Sequence, residues 1–367
     1  MEVDLKFKSR TSDCVEDIIV YLPGKPVEEL ERELGLEESI KLASNENPLG
    51  PSPLAVAAMK NGFSDLNRYP DGSGFYLKKA LSQFHGLDEE CFIFGNGTNE
   101  VLEIIAHAFL NPDDSVVFSE GAFIVYKIVS QLSCCKMNIS PMKDYTHDLD
   151  DILRRVDEKT KIIFLANPNN PTGTSFGESA LLRLLEEIPE NILVVVDEAY
   201  CQFVTDDNYP RTLELMSKYH NLIALRTFSK VYGLAGLRIG YGIAQPEIIS
   251  ILSKVREPFN VNSLALLAAE KALGDQEHVN KTISANIEGR EFLVKELTSL
   301  GISFVPTQGN FLMVDVSDGD RVYDMLLRRG VIVRPVTGYG FPSHIRVSIG
   351  TMDENRRFIK DLKEVVK

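Results

Sequence analysis

No apolar run in this chain is long enough to cross a bilayer. Its opening residues, MEVDLKFKSR, lack the apolar core of a signal peptide. A soluble, cytoplasmic protein without a membrane partner is the expectation. Cysteine is scarce. Cys14, Cys91, Cys134, Cys135 and Cys201 form no CxxC pair and no Cys/His cluster with metal-ligand spacing. That argues against a zinc site or any other metal, and the odd count reads as reduced, buried thiols. Basic residues are in deficit: 39 Lys+Arg stand against 53 Asp+Glu, a net charge of −14. Such a field repels polyphosphate, so nucleic acid is a poor partner, and an anionic substrate needs local arginines. No repeat or low-complexity tract is present.

What remains is an ordinary globular composition. Hydrophobic residues at 44% and charged residues at 25% exclude a disordered or fibrous chain. A length of 367 residues suggests two domains, or one large α/β domain with a smaller companion. The first stretch is charged and broken at Pro23-Gly24 and Pro26, and reads as an arm with one helix, Val27 to Leu34. The breaker-dense stretch Asn45-Glu-Asn-Pro-Leu-Gly-Pro-Ser-Pro53 reads as a loop. Short apolar runs then alternate with helical periods. They are Cys91–Phe94, Val116–Phe118, Lys161–Leu165, Ile192–Val196 and Leu222–Leu225. This βα spacing predicts a mostly parallel sheet covered by helices on both faces. From about Asn262 the pattern changes to helices at 263–273 and 287–300, with strands at 309–315, 331–333 and 345–349 and a closing helix. The expected division is an arm over 1–48 packing with the smaller domain, a large α/β domain over 49–260, and a small α+β domain over 261–367.

Sheets of this kind take ligands beyond the carboxyl ends of their strands, so the residues just after each apolar run carry the chemistry. Gly95-Asn-Gly97-Thr98-Asn99 joins a strand to a helix and can cradle an anion on backbone N–H groups. It lacks the third glycine of a dinucleotide fingerprint and the Gly-Lys-Thr/Ser of a P-loop. Asn167-Pro-Asn-Asn170-Pro-Thr-Gly173 is a rigid loop that presents the Asn170 amide. Asp197-Glu-Ala-Tyr200 puts a carboxylate at the end of a fully apolar run, where it caps a helix or holds a cation. Thr227-Phe-Ser-Lys230-Val-Tyr-Gly233-Leu-Ala-Gly236-Leu-Arg238 sets a lysine between hydroxyls and an arginine, which disfavours its ammonium form and suits imine formation. Taken singly, these are tight turns, an Asx turn, a cap and a surface lysine. In order at successive strand ends they supply an anion cup, a phenolate partner, a pyridinium partner and an imine-forming amine. Pyridoxal 5'-phosphate requires that inventory.

Over essentially its whole length the chain resembles the fold-type I, aspartate-aminotransferase-like enzymes, and more closely the histidinol-phosphate aminotransferase family. The phrases are Tyr21-Leu-Pro-Gly-Lys-Pro-Val, Leu42-Ala-Ser-Asn45-Glu-Asn-Pro, Arg68-Tyr69-Pro-Asp, Asn169-Asn170-Pro-Thr-Gly, Asp197-Glu-Ala-Tyr200, Ser229-Lys230, Gly236-Leu-Arg238, and Val333-Arg334-Pro with Gly338-Tyr-Gly-Phe-Pro-Ser-His-Ile-Arg346. The first and last are the more typical of that family. The resemblance implies that Lys230 carries the cofactor and moves the substrate proton. It implies that Asp197 pairs with the pyridine nitrogen, and that Tyr200 and Asn170 contact the ring oxygen. Gly97, Thr98, Thr227, Ser229 and Arg238 would hold the phosphate, and Phe123 would stack on the ring. Tyr69 would reach the cofactor of the other subunit, which implies a homodimer. Asn45, Asn310, Arg334, Arg346 and, on the arm, Tyr21 would line the substrate side.

The implied reaction is transamination between histidinol phosphate and 2-oxoglutarate, giving imidazole acetol phosphate and glutamate. Its alternatives are an aromatic aminotransferase or a decarboxylase of a phosphorylated amino acid with the same fold. A non-catalytic regulatory domain would need a basic helix-turn-helix ahead of Asn45, where the chain is acid-rich. A dinucleotide-dependent dehydrogenase rests only on the glycine turn and Glu120.

Overall fold

Seven short strands assemble into one sheet in the order Phe92–Gly95, Gly240–Ile243, Leu222–Thr227, Leu193–Asp197, Thr160–Ala166, Ser115–Ser119, Lys136–Ser140. The structure is a computed structural model that describes residues 13–16, 18, 20 and 24–366. Neighbouring strands run parallel except Gly240–Ile243, which is antiparallel to both of its neighbours. Strand side chains alternate between faces with period two, and the interior follows that alternation. Ile163, Leu165, Val194, Val196, Leu222 and Ala224 enter one core. Ile162, Phe164, Val195, Ile223 and Leu225 enter the other. Helices Gly97–Phe109 and Ile124–Leu132 cover the second core, and Phe75–His85, Glu178–Glu187 and Ser263–Gly274 cover the first. With both faces buried, the strands read as unbroken apolar runs, as expected for this architecture.

Two strands escape that pattern. Lys136–Ser140 is an edge strand that is exposed or half-buried up to its last residue, so it shows no apolar run. Gly240–Ile243 is short and glycine-rich because it is crowded. A Cβ at Gly240 would lie 2.7 Å from the Thr98 backbone nitrogen, and one at Gly242 would lie 3.0 Å from Val101 Cγ1.

A second sheet, Phe304–Val305, Phe311–Asp315, His344–Ser348, Arg334–Pro335, is antiparallel throughout. Its core takes Leu312, Val314, Ile345 and Val347, with Leu293 and Leu297 from helix Gln276–Ser299 and Phe358 and Leu362 from helix Met352–Val365. Thr351 and Glu354 form a reciprocal capping box at the start of that last helix. Helix Val27–Leu34 packs Leu30 with Ala43 and Ile332, and Ile40–Lys41 pairs in parallel with Val331–Ile332. The stretch from Ser263 to Val279 buries Ala265, Ala268, Ala269, Ala272 and Val279 in the core of the large sheet, not the small one.

The cysteines require one correction. Cys14 and Cys134 are joined as a disulfide across 120 residues, with Cα atoms 5.1 Å apart. Cys91, Cys135 and Cys201 are free. Spacing along the chain does not report proximity in space, so the expectation of five reduced thiols fails at this pair. No helix among the described residues is long and apolar enough to cross a membrane.

The loop after Leu222–Thr227 depends on one glycine. Gly233 has φ +70°, and its N–H closes a turn on the Lys230 carbonyl at 3.0 Å. A Cβ there would sit 2.1 Å from the Gly50 carbonyl oxygen. Left-handed backbone and forced overlap together cost about 2–5 kcal/mol. Gly233→Ala is therefore expected to lower the urea midpoint of unfolding by a corresponding amount. An unchanged midpoint would show that the Gly50 segment yields freely.

Candidate active site

The carboxyl ends of the central strands open into a cavity of about 270 Å³. Twelve of the residues singled out in the sequence line it: Asn45, Thr98, Phe123, Asn170, Asp197, Tyr200, Thr227, Ser229, Lys230, Arg238, Arg334 and Arg346. Most stand at or just beyond the ends of large-sheet strands far apart in the chain, which meet because parallel strands end on the same side of the sheet, while Arg334 and Arg346 come from the second sheet.

Asp197 closes strand Leu193–Asp197 and is buried. Its carboxylate accepts from the Tyr126 hydroxyl at 3.2 Å and from the Ala199 N–H at 3.2 Å. Burial pushes its pKa up to about 6, against the pull of those two bonds; Glu198 adds to the rise and Lys230 opposes it. Lys230 donates to the Ser44 carbonyl at 3.1 Å and lies 5.5 Å from the centre of the Tyr200 ring. Burial, then the Arg346 charge, depresses its pKa to about 8. Arg238 contributes in the same direction, while Glu46 and Asp197 resist. The disfavoured ammonium was expected from the flanking arginine; burial and the distant Arg346 outweigh that neighbour.

Tyr200 accepts from Asn45 Nδ2 at 3.0 Å. Burial raises its pKa to about 12. At neutral pH it is a phenol, able to donate to a ring oxygen as the resemblance implies. Asn45 itself is held in left-handed backbone at φ 54°, its N–H on Ser348 Oγ at 2.8 Å.

The anion cup forms where helix Gly97–Phe109 begins. Gly97 does not line the cavity; its role is the missing side chain, since a Cβ would sit 2.6 Å from Arg238 Nη2. Arg238 donates to the Ala235 carbonyl at 3.2 Å and to the Asn96 carbonyl at 3.3 Å, and reaches Ser229 Oγ at 3.5 Å. Thr227 Oγ1 accepts from the Ser229 N–H at 3.0 Å. Hydroxyls, a guanidinium and a helix N-terminus thus converge, with the Glu100 carboxylate of the first turn accepting from the Asn96 N–H.

Arg346 occupies the buried strand His344–Ser348. It donates to Asn170 Oδ1 and to the Ala43 carbonyl at 2.6 Å, and its Nε is buried without a partner. No ion pair among the described residues involves it. A buried guanidinium with a spare donor and no counter-charge is prepared for an anion. Arg334 lines the cavity from the two-residue strand beside it.

Two expected residues stand elsewhere. Asn310 lies behind the wall, where its Nδ2 donates to the Asn45 carbonyl at 3.0 Å, so it supports Asn45 instead of facing the cavity. Tyr69 is 84% exposed, stacked on Phe259, and does not line the cavity of its own chain. Tyr21 lies outside the described residues. Sequence reasoning missed Glu46, Asn99, Tyr339 and Tyr126. The first three sit inside quoted motifs and were legible there; Tyr126, one helical turn beyond Phe123, was not singled out.

Pyridoxal phosphate fits this donor set. The cup of Thr98, Ser229 and Arg238 suits a phosphate, and Phe123 presents a ring for stacking. Asp197 is a buried carboxylate with no cation hydrogen-bonded to it, suited to a protonated ring nitrogen. Lys230 is an amine with its proton loosened, suited to a carbonyl carbon.

Residues 37–362 match the family described as aminotransferase class I and II. The chain is 47% identical over 354 residues to histidinol-phosphate aminotransferase 1 of Nitrosococcus oceani, covering 96% of each chain. It is 47% identical over 355 residues to histidinol-phosphate aminotransferase 2 of Pseudomonas fluorescens, again over 96% of each. Among solved structures it is similar to histidinol-phosphate aminotransferase from Sinorhizobium meliloti in complex with pyridoxal-5'-phosphate, with TM-score 0.89 and 28% identity over 98% of each chain.

Proposed function

We propose, from the premise that this chain belongs to the class I and II aminotransferases and within them to the histidinol-phosphate aminotransferase family, that it transfers an amino group between histidinol phosphate and 2-oxoglutarate. The products are imidazole acetol phosphate and glutamate, and the place of the reaction is L-histidine biosynthesis in the cytoplasm. The cofactor is pyridoxal 5'-phosphate, which when bound supplies an electron sink for the charge left as the substrate's α C–H bond breaks.

The chain's own residues do the rest. Thr98, Thr227, Ser229 and Arg238 hold the phosphate, Asp197 faces the ring nitrogen, and Phe123 backs the ring. Tyr200 and Asn170 sit at the ring oxygen. The Lys230 amine, with its proton affinity lowered by burial, takes and returns the α-proton of the substrate. Arg346 and Arg334 hold the substrate's carboxylate or phosphate, with Tyr21 from the arm and Asn45 beside them, and Asn310 braces Asn45. The unit is a homodimer in which the partner subunit's Tyr69 reaches this cofactor's phosphate. The exposed apolar residues Leu54, Phe63, Leu66, Phe75 and Tyr76 support such an interface.

One observation carries the substrate assignment. Arg346, buried with an unpartnered Nε, provides an anion position that shares no hydrogen bond with the Arg238 cup. A substrate with its own phosphate uses it fully; phenylalanine offers the same amino group with only a carboxylate. The test is a single-turnover absorbance experiment on cofactor-loaded protein. Loss of the cofactor band is expected at least about a hundredfold faster with histidinol phosphate than with phenylalanine. Faster loss with phenylalanine would move the protein to the aromatic aminotransferases.

A further inference from the structure

We infer that Tyr126 is a positioning residue of this site: one buried side chain that fixes the Asp197 carboxylate through its hydroxyl and backs the Phe123 ring with its own. The inference rests on the cofactor reading above and adds a residue to it.

Tyr126 is fully buried. It stands in the first turn of helix Ile124–Leu132, where its N–H donates to the Phe123 carbonyl at 3.1 Å. Its ring is clamped: stacked on Phe164 at 5.1 Å and 6°, and edge-on to Phe123 at 5.9 Å and 88°. Three aromatic planes in mutual contact leave the phenol little freedom. Its hydroxyl points at Asp197 Oδ2, 3.2 Å away.

The direction of that bond matters. A buried phenol must have a partner, and a backbone carbonyl would satisfy it. This one is directed instead at a cavity-lining carboxylate. Burial and the adjacent carboxylate keep the phenol protonated, so it can act on Asp197 only as a donor. A donor favours the ionised carboxylate, which burial disfavours. With Oδ2 held by Tyr126 and Oδ1 by the Ala199 N–H, the carboxylate plane is set by two bonds from different elements. The other titratable groups around it are Glu198, Tyr200 and Lys230. Glu198 is bound to Arg226 at 2.8 Å and Tyr200 to Asn45 at 3.0 Å, so neither replaces the phenol.

The test is Tyr126→Phe, which removes one oxygen and keeps the clamped ring. In the holoenzyme, kcat is expected to fall about tenfold while KM stays within about twofold. The dissociation constant of pyridoxal phosphate from the apoprotein is expected to rise by a similar factor. In an Asp197→Asn background the same substitution is expected to add almost nothing, because the carboxylate it serves is gone. A purely structural role predicts equal losses in both backgrounds, and that result would overturn the inference. So would a kcat and a dissociation constant both within twofold of wild type. The wild-type control separates the two levels: failure to bind pyridoxal phosphate there removes the cofactor reading, and Tyr126 with it. Normal wild-type binding with an unaltered variant removes only the role of Tyr126.

Discussion

Lys230→Ala is expected to lower steady-state transamination by about 10²–10⁴-fold while leaving pyridoxal phosphate bound. The separation follows from the geometry. Thr98, Ser229 and Arg238 hold an anion without any contribution from the lysine, and Phe123 lines the cavity from another element. Among the described residues Lys230 provides the one primary amine of the cavity lining. The same residue predicts a pH dependence. With its pKa depressed to about 8, the amine is charged below that value and neutral above it. Only the neutral form attacks a carbonyl carbon. The rate at which apoprotein takes up the cofactor should therefore rise from pH 7 to pH 9 and then level. Arg346→Met removes a cation that lowers the Lys230 pKa, so the rise should move to higher pH. A flat profile, or a shift to lower pH in that variant, would show that the amine is not controlled as described. Wild-type turnover by Lys230→Ala would remove Lys230 from the reaction.

Asp197→Asn is expected to cost nearly as much by a different route. The two side chains have the same shape, and the amide oxygen can still accept from Tyr126 or Ala199. What is lost is a buried negative charge. Removing one member of a buried charge pair costs about 3–5 kcal/mol, and that corresponds to a loss of kcat of about a hundredfold to several thousandfold. The variant should fold at least as stably without ligand, because in the apoprotein Asp197 is a desolvated acid with its pKa raised to about 6. A carboxyl pKa raised from 3.8 to about 6 means that stability falls as pH rises between those values and stays lowered above them, and asparagine removes that penalty. Thermal unfolding of the apoprotein at pH 8 together with kcat of the holoenzyme measures both effects. A large loss of stability at pH 8 would contradict the assignment of Asp197 as an uncompensated buried charge.

Much of this site could be read along the chain. Helix Val27–Leu34 has the bounds expected from Pro26 before it and Gly35 after it in left-handed backbone. The strands at 115–119, 160–166 and 222–227 extend the apolar runs by two residues, and the strand at 193–197 is its run shifted by one. The glycine turn, asparagine, aspartate and lysine at their ends all reach the cavity or its rim, although the sheet sets their strands in the order glycine turn, lysine, aspartate, asparagine. Where the reading fell short, the cause was a partner remote in sequence. Asn310 turned out to brace Asn45 over 265 residues, and Cys14 meets Cys134 over 120. Helix Gly97–Phe109 starts earlier than its apolar period, with its first residue a glycine where a Cβ would meet Arg238, a partner remote in sequence.

Apolar period, turn residues and the succession of functional side chains are local properties, and they were enough for the sheet, its helices and the identity of most of the reacting set. The states of those groups were not local. Tyr200 is a phenol, Lys230 has a loosened proton, and Asp197 is a reluctant carboxylate held by a tyrosine 71 residues earlier. Each of these follows from desolvation and from the charges and donors that packing brings within reach. A proton's affinity is set by the dielectric and the field around it, and neither exists until the chain has folded.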